Sequence, residues 1–367
     1  MRVLHVISDE NIGGAGVLLS TLLSHFAPHV KSYVALPRGS ALIERLDAEG
    51  LVICELEQAC DRASVRSVRE IARLIREHEI EIVHANAALA ARLAGRICGV
   101  PVVHTRHCCY PPSGAWRLAP IRWIGGLGNR MLSSRVIATA EAAAENLRAL
   151  GIPQKKIEVI INGSRPVREV DEQELNVCRV DWNIAKDAFT VGICARLERC
   201  KGHETFLEMA RILRERSPKF KFLIVGEGSQ RAALERLSRE LGLDDCVTFT
   251  GFVGDMAPVY RLLRVNVNCS QGTETSCLAL SEGMSAGVPA VVSDYGGNRA
   301  MIGESEAGFV VPMGDSCSFA DAVWRIAQDA ELERTMRAAA YERYLKHYTA
   351  QTMADRVMAV YESVLSR

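Results

Sequence analysis

Short, nearly continuous apolar runs alternate with helical runs from one end of the chain to the other. "RVLHVIS" is followed by "GGAG" and the helical "VLLSTLLSHF", and "SYVALP" by the amphipathic "SVREIARLIREHEI", whose apolar residues recur at three- and four-residue steps. "EIVHAN" and "PVVHTRH" bracket the helix "AALAARLAGRICG", and "SRVIATA" leads into "EAAAENLRALG". Strands apolar on both faces, each returning through a helix, require a parallel sheet covered on both sides. A second series opens with "IEVIING" and passes through the polar, proline-bearing "SRPVREVDEQE". It continues with "FTVGICARL", "HETFLEMARILRER", "KFKFLIVGEGS", "QRAALERLSRELG", "CVTFTGF", "VNVNCS", "PAVVSD" and "GFVVP", and ends in helices with no strand after them. With 367 residues the chain exceeds one ordinary core. The expected fold class is α/β with two doubly wound, Rossmann-like domains facing a central cleft and a boundary near 165–175.

Charge excludes one class of partner. Equal numbers of basic and acidic residues, 44 each, argue against nucleic-acid binding, which normally shows a basic excess. The first 165 residues carry about five excess positive charges and the remainder about five excess negative ones. Twelve cysteines lie without CxxC pairs or zinc-type spacing, so reduced thiols in a cytoplasmic protein are expected. "MRVLHVISD" reads as strand and turn rather than a signal peptide, and no apolar run approaches the roughly 18 residues that span a bilayer.

In doubly wound sheets ligands bind outside the carboxyl ends of the strands, so residues following strands are the ones to weigh. Gly13 and Gly14, in "IGGAGV", would let backbone amides approach a phosphate at a helix N-terminus; a tight turn that needs glycine explains them equally well. "SYVALPRG" lacks the acidic residue that a nicotinamide dehydrogenase would place after strand two. Arg196 and Lys201, in "ARLERCKG", are two cations in one loop, suited to clamping a diphosphate by fork and point charge. "ETSCLALSE" sets Glu274 and Glu282 across a strand-to-helix junction, with a helix beginning near Ser276. Carboxylates accept hydrogen bonds from sugar and ribose hydroxyls, and the cations would offset their repulsion of a diphosphate. A nucleotide sugar carries all three groups. His107 and Arg106, in "VVHTRHCCYPP", end a first-domain strand and would present a hydrogen-bond donor and a charge to the acceptor side. His84, in "IVHAN", is either a further acceptor-side group or a histidine satisfying a core hydrogen bond. No Asp-x-Asp pair stands where a divalent cation would be held, so no metal and no cofactor is expected.

With these residues in place, the chain resembles the retaining glycosyltransferases of family 4, which have the GT-B fold. The resemblance covers nearly the whole length. It is carried by the N-terminal "GG", "ARLERCKG", "FLIVGEGS", "VTFTGF", the E-x7-E stretch and "AGVPAVVSDYGGN", in that order. It implies domains at 1–168 and 169–348, with a closing helix at about 349–367 packed back on the first. Gly13 and Gly14 would then lie near the donor phosphates and sugar, Arg196 and Lys201 at the diphosphate, and Glu282 at the ribose. Glu274 would hold a hydroxyl of the transferred sugar, assisted by the amides around Ser276, Cys277 and Leu278. Gly228 and Phe252 would frame the base, and His107 would be the first-domain active-site histidine. The implied reaction is metal-independent transfer from a nucleoside-diphosphate sugar with retention. Asn86, Arg165, Thr275 and "SEGMS" depart from the family's commoner residues and leave the donor's identity open.

A glycan or lipid-linked acceptor is expected in cell-envelope polysaccharide or glycolipid synthesis. The stretch "SGAWRLAPIRWIGGLGNRMLSSR" joins Trp116, Trp123 and four arginines, a composition suited to the inner face of a membrane at 115–135 or to a helix packed on the domain. Two rival readings are a nucleotide-sugar epimerase of the same shape and a non-catalytic nucleotide-sugar-binding protein.

Overall fold

The computed structural model describes residues 1–8, 14–47, 51–57, 64–86, 88–107, 126–128, 130–272, 275–303 and 307–366. The chain divides into two compact units, Met1–Ser164 with Ala350–Arg367, and Arg165–Thr349.

The first unit is built on β1 (Arg2–Ile7), β2 (Lys31–Pro37), β3 (Val52–Leu56), β4 (Ile82–Asn86), β5 (Val102–Arg106), β6 (Arg135–Ala138) and β7 (Ile157–Val159). Every pairing is parallel, in the order β3-β2-β1-β4-β5-β6-β7. Successive side chains of β2 go to opposite faces, as the two-residue strand period requires. Tyr33 and Ala35 join a core with Leu4, Val6, Ile71 and Ile75, while Val34 and Leu36 join one with Ile7, Leu19, Leu42 and Leu46. That division is why β2 contains no polar alternation. Helix Val65–Glu77 shows the one-sided case. Ser64 caps it by accepting from the Ser67 amide, and Ile71, Ala72, Leu74 and Ile75 are buried on its inner face.

Two elements differ from the sequence-based reading. The "IEVIING" strand, β7, pairs with β6 and forms the edge of the first sheet rather than opening a second series. Edge strand β3 alternates exposed and buried residues and lacks a continuous apolar run to signal it.

The second unit contains β8 (Phe189–Cys194), β9 (Phe220–Val225), β10 (Val247–Gly251), β11 (Val265–Asn268), β12 (Ala290–Ser293) and β13 (Gly308–Val311). They are parallel in the order β10-β9-β8-β11-β12-β13. Phe222 and Ile224 face one core, and Leu223 and Val225 face the other. The polar "SRPVREVDEQE" leads into helix Glu172–Asp181, capped by Asp171, which accepts from the Glu174 amide. None of that helix's residues is fully buried, so it carries little apolar signature.

The closing helix Ala350–Leu365 belongs to the first unit. Met353, Val357, Val360, Tyr361 and Val364 are buried along it. The Ala350 amide donates to the Ser164 carbonyl at 2.9 Å, Arg356 donates to the Val159 carbonyl at 2.6 Å, and Tyr361 lies 5.8 Å from the Phe26 ring.

Candidate active site

Each sheet reverses its strand order once, between β1 and β4 in the first unit and between β8 and β11 in the second. At such a switch point neighbouring crossover helices leave in opposite directions and open a crevice at the strands' carboxyl ends. Among the described residues Gly14 follows β1, and Arg196 and Lys201 follow β8, at these two places.

In the second unit, Arg196 lies two residues beyond β8 and is exposed, and Lys201 ends the short turn Arg199–Lys201. The loop is tied to its neighbours by backbone hydrogen bonds. The Leu197 amide donates to the Glu227 carbonyl at 2.9 Å, the Gln230 amide to the Leu197 carbonyl at 2.9 Å, and the Gln271 amide to the Cys200 carbonyl at 2.8 Å. The last bond joins the segments following β8 and β11 across the switch point. Gly202, at φ +70°, makes the approach feasible, since a Cβ there would lie 2.2 Å from the Cys269 carbonyl oxygen. Gly228 packs against the Leu197 backbone, and Phe252, one residue past β10, stands 77% exposed, an aromatic face open to a ligand.

The helix after β11 begins at Leu278, two residues later than the sequence suggests, and runs to Ser285. Ser276 is buried just ahead of it, and Cys277 occupies the N-cap position without a side-chain capping bond. Glu282 is half-buried in the middle of the helix and accepts a hydrogen bond from the Tyr260 hydroxyl at 2.9 Å. Tyr260 is fully buried. Burial first, and then the Glu282 charge, hold its hydroxyl well above its ordinary pKa, so it remains a donor. Tyr260 is thus the partner that a carboxylate among apolar neighbours requires. Nothing in its own surroundings in the sequence singles it out.

The "SEGMS" departure has a local cause. Asn266 on β11 donates to the Ala279 carbonyl at 2.8 Å, and a Cβ at Gly283 would stand 2.8 Å from that same Asn266 nitrogen. Glycine at 283 therefore leaves room for a strand-to-helix clamp. Asn298, at the end of the "AGVPAVVSDYGGN" run, is also buried and donates to Ser293.

In the first unit, Gly14 opens helix Gly14–Leu23, and a Cβ there would meet nothing within 4 Å. Arg106 ends β5, and its carbonyl accepts from the Thr139 hydroxyl at 3.2 Å. His107 follows it, with Nε2 3.1 Å from Asn86 Oδ1 at the end of β4. Burial lowers the His107 pKa to about 4, so the ring is neutral at physiological pH. His84 has Nδ1 against the Tyr361 hydroxyl and Nε2 2.6 Å from the Thr105 hydroxyl, so both ring nitrogens are engaged inside the unit. That arrangement matches the core-hydrogen-bond alternative for His84. Gly13, Glu274 and residues 113–125 and 129 of the basic aromatic stretch lie outside the described residues.

Two family models match the chain in succession: "Glycosyltransferase Family 4" over residues 12–166 and "Glycosyl transferases group 1" over residues 177–343. The chain belongs to the glycosyltransferases of family 4. This glycosyltransferase is 29% identical over 345 residues to the 2-deoxystreptamine N-acetyl-D-glucosaminyltransferase of Streptomyces fradiae, spanning 89% of this chain and 80% of the relative. It is 24% identical over 283 residues to the UDP-Gal:alpha-D-GlcNAc-diphosphoundecaprenol alpha-1,3-galactosyltransferase of Escherichia coli, spanning 73% and 72% of the two chains. The crystal structure of Anabaena Alr3699/HepE in complex with UDP superposes with a TM-score of 0.86 at 19% identity, covering 99% of this chain and 100% of that one. The fold is GT-B, with two Rossmann-like domains, and the protein is a nucleotide-sugar-dependent transferase.

Proposed function

We propose that this glycosyltransferase moves a hexosyl group from a uridine-diphosphate sugar to a hydroxyl of a glycan or lipid-linked acceptor, with retention and without a metal ion. The observation that carries the reading is the strand-end assembly of the second domain. There two cations, Arg196 and Lys201, follow β8 at the switch point beside the Tyr260-supported Glu282, and Phe252 stands exposed past edge strand β10. In this assignment Arg196 and Lys201 receive the diphosphate, Glu282 holds the ribose and Phe252 and Gly228 border the base. Glu274 and the amides around Ser276, Cys277 and Leu278 hold the sugar. In the first domain Gly13 and Gly14 are assigned to the phosphates, and His107 and Arg106 to the acceptor.

As the sugar–oxygen bond breaks, charge accumulates on the diphosphate, and preoriented cations stabilise it more than they stabilise the ground state. The acceptor hydroxyl enters on the face the diphosphate leaves, and a donor phosphate oxygen takes its proton. No enzyme carboxylate then acts as nucleophile, unlike the two-carboxylate retaining hydrolases. The complex of the Anabaena protein with UDP supports a uridine donor, and the E. coli relative's diphosphoundecaprenol acceptor supports a lipid-linked one. Among the described residues no helix is long and apolar enough to cross a membrane.

The test is thermal unfolding of the purified protein with UDP, GDP, ADP or CMP, in EDTA. UDP at a hundredfold excess over its dissociation constant should stabilise by about 2.7 kcal/mol, and the others by less. Equal stabilisation by all four, or dependence on added metal, would overturn the assignment. The anomeric coupling constant of the product then decides retention.

A further inference from the structure

A small cavity of about 20 Å³ opens in the first domain at the carboxyl ends of β4, β5 and β6. Its apolar wall comes from Leu18, Leu22, Ile137, Met353 and Val357, and its polar lining includes Asn86 and His107. That volume admits one small polar group, not a sugar ring. Asn86 is 93% buried, at 7% residual exposure, and its carboxamide is split in function. Oδ1 faces His107 Nε2 at 3.1 Å, whereas Nδ2 has no hydrogen-bond partner among the described residues. A buried amide donor left unpaired loses its hydration without a replacement, so its position beside a cavity points to a ligand atom that accepts from it.

We infer that Asn86 is a positioning residue for His107 and a recognition group for the acceptor: Oδ1 holds the imidazole Nε2–H, and Nδ2 donates to a hydroxyl oxygen inserted into the cavity. A carboxamide oxygen only accepts, so the neutral ring must carry its proton on Nε2 and present Nδ1 as an acceptor. The ligand class is a neutral saccharide or polyol that places one hydroxyl in the cavity and leaves its ring outside. The acceptor identity rests on the proposed function; the tautomer does not.

Histidine-labelled protein read by long-range proton–nitrogen correlation spectra tests the positioning directly, with His107 assigned through His107→Gln. The expected result is an Nε2–H signature in the wild type, a mixed or reversed tautomer in Asn86→Leu, and the Nε2–H form restored in Asn86→Asp, whose carboxylate also accepts. An Nδ1–H ring in the wild type, or an unchanged one in Asn86→Leu, overturns the positioning. If Asn86→Leu fails to fold, the wild type and Asn86→Asp still decide. Recognition is read from the Asn86 side-chain amide signals during titration with methyl glucoside, methyl galactoside, methyl mannoside and N-acetylglucosamine. A shift caused by at least one sugar, absent with sodium chloride, supports it, and no shift with any overturns it. Thermal stabilisation by UDP reports on the other domain, so failure of the donor assignment is seen separately.

Discussion

Acid should unfold the first domain before the second. Burial lowers the pKa of His5 to about 3 and of His107 to about 4, and moves His84 and His104 well below the usual imidazole value. For His104 the charges of Arg92 and Arg106 add to burial. In the second domain His203 is lowered to about 4 by burial and by Lys201. Below about pH 6.5 the unfolded chain takes up protons that these folded sites refuse, so the unfolded state binds more protons and stability rises with pH. The contribution is intact above about pH 6.5 and is lost progressively down to about pH 4. At pH 5.5 each such histidine removes about 1.4 kcal/mol, one pKa unit's worth. His5 and His107 together then remove about 3 kcal/mol from the first domain, before His84 and His104 are counted, against about 1.4 kcal/mol for the second. Three kilocalories raise an opened population about a hundredfold, within a total of about 5–15 kcal/mol for a domain. Hydrogen exchange read by mass spectrometry, comparing β1, β4 and β5 with β8, β9 and β11 at pH 7.5, 6.5 and 5.5, measures this within one sample. Equal loss of protection in the two sheets, or earlier loss in the second, would refute the reasoning.

Three substitutions test the second domain. Tyr260→Phe removes the donor to Glu282 while keeping the ring, and UDP affinity measured by calorimetry should fall about tenfold, the effect of one hydrogen bond to a charged group; an unchanged dissociation constant would count against Glu282 as a ribose ligand. Gly283→Ala should destabilise by about 1 kcal/mol in urea despite alanine's better helix propensity, because the new methyl displaces the Asn266 amide from Ala279. In an Asn266→Ala background the same change should become stabilising. Glu333, 5% exposed, accepts from Arg264 through both carboxylate oxygens, but the Arg264 side chain is 45% exposed and solvent takes over its donors, so Glu333→Ala should cost only about 1 kcal/mol; a loss of about 3 kcal/mol or more would show that the guanidinium is stranded.

The parallel class was legible because β1, β2, β4, β8 and β9 are apolar on both faces, a pattern few other arrangements can bury. Their lateral order was not. A strand's sequence does not record which neighbour it pairs with, so β7 reads equally well as the start of one series or the edge of another. Arg196, Lys201 and Glu282 were legible as chemistry because charge is conspicuous beside apolar strands. Their supports were hidden by distance along the chain. Tyr260 precedes Glu282 by 22 residues, and Tyr361 meets His84 across 277. Asn86 stood out in the sequence only as a departure from family habit, and its partner His107 was selected for a different reason.

The Ala350–Leu365 helix makes the first domain discontinuous, and this sets an order of events during synthesis. Residues 165–349, a complete sheet with both faces covered, have all left the ribosome before the helix that supplies Met353, Val357 and Tyr361 appears. The earlier-made sheet must wait with the Leu19 and His84 side unsealed while the later-made one closes. Of the two domains, the one synthesised first is therefore the one completed last, and a nascent chain with only its first 350 or so residues clear of the ribosome would hold a finished second domain behind an open first.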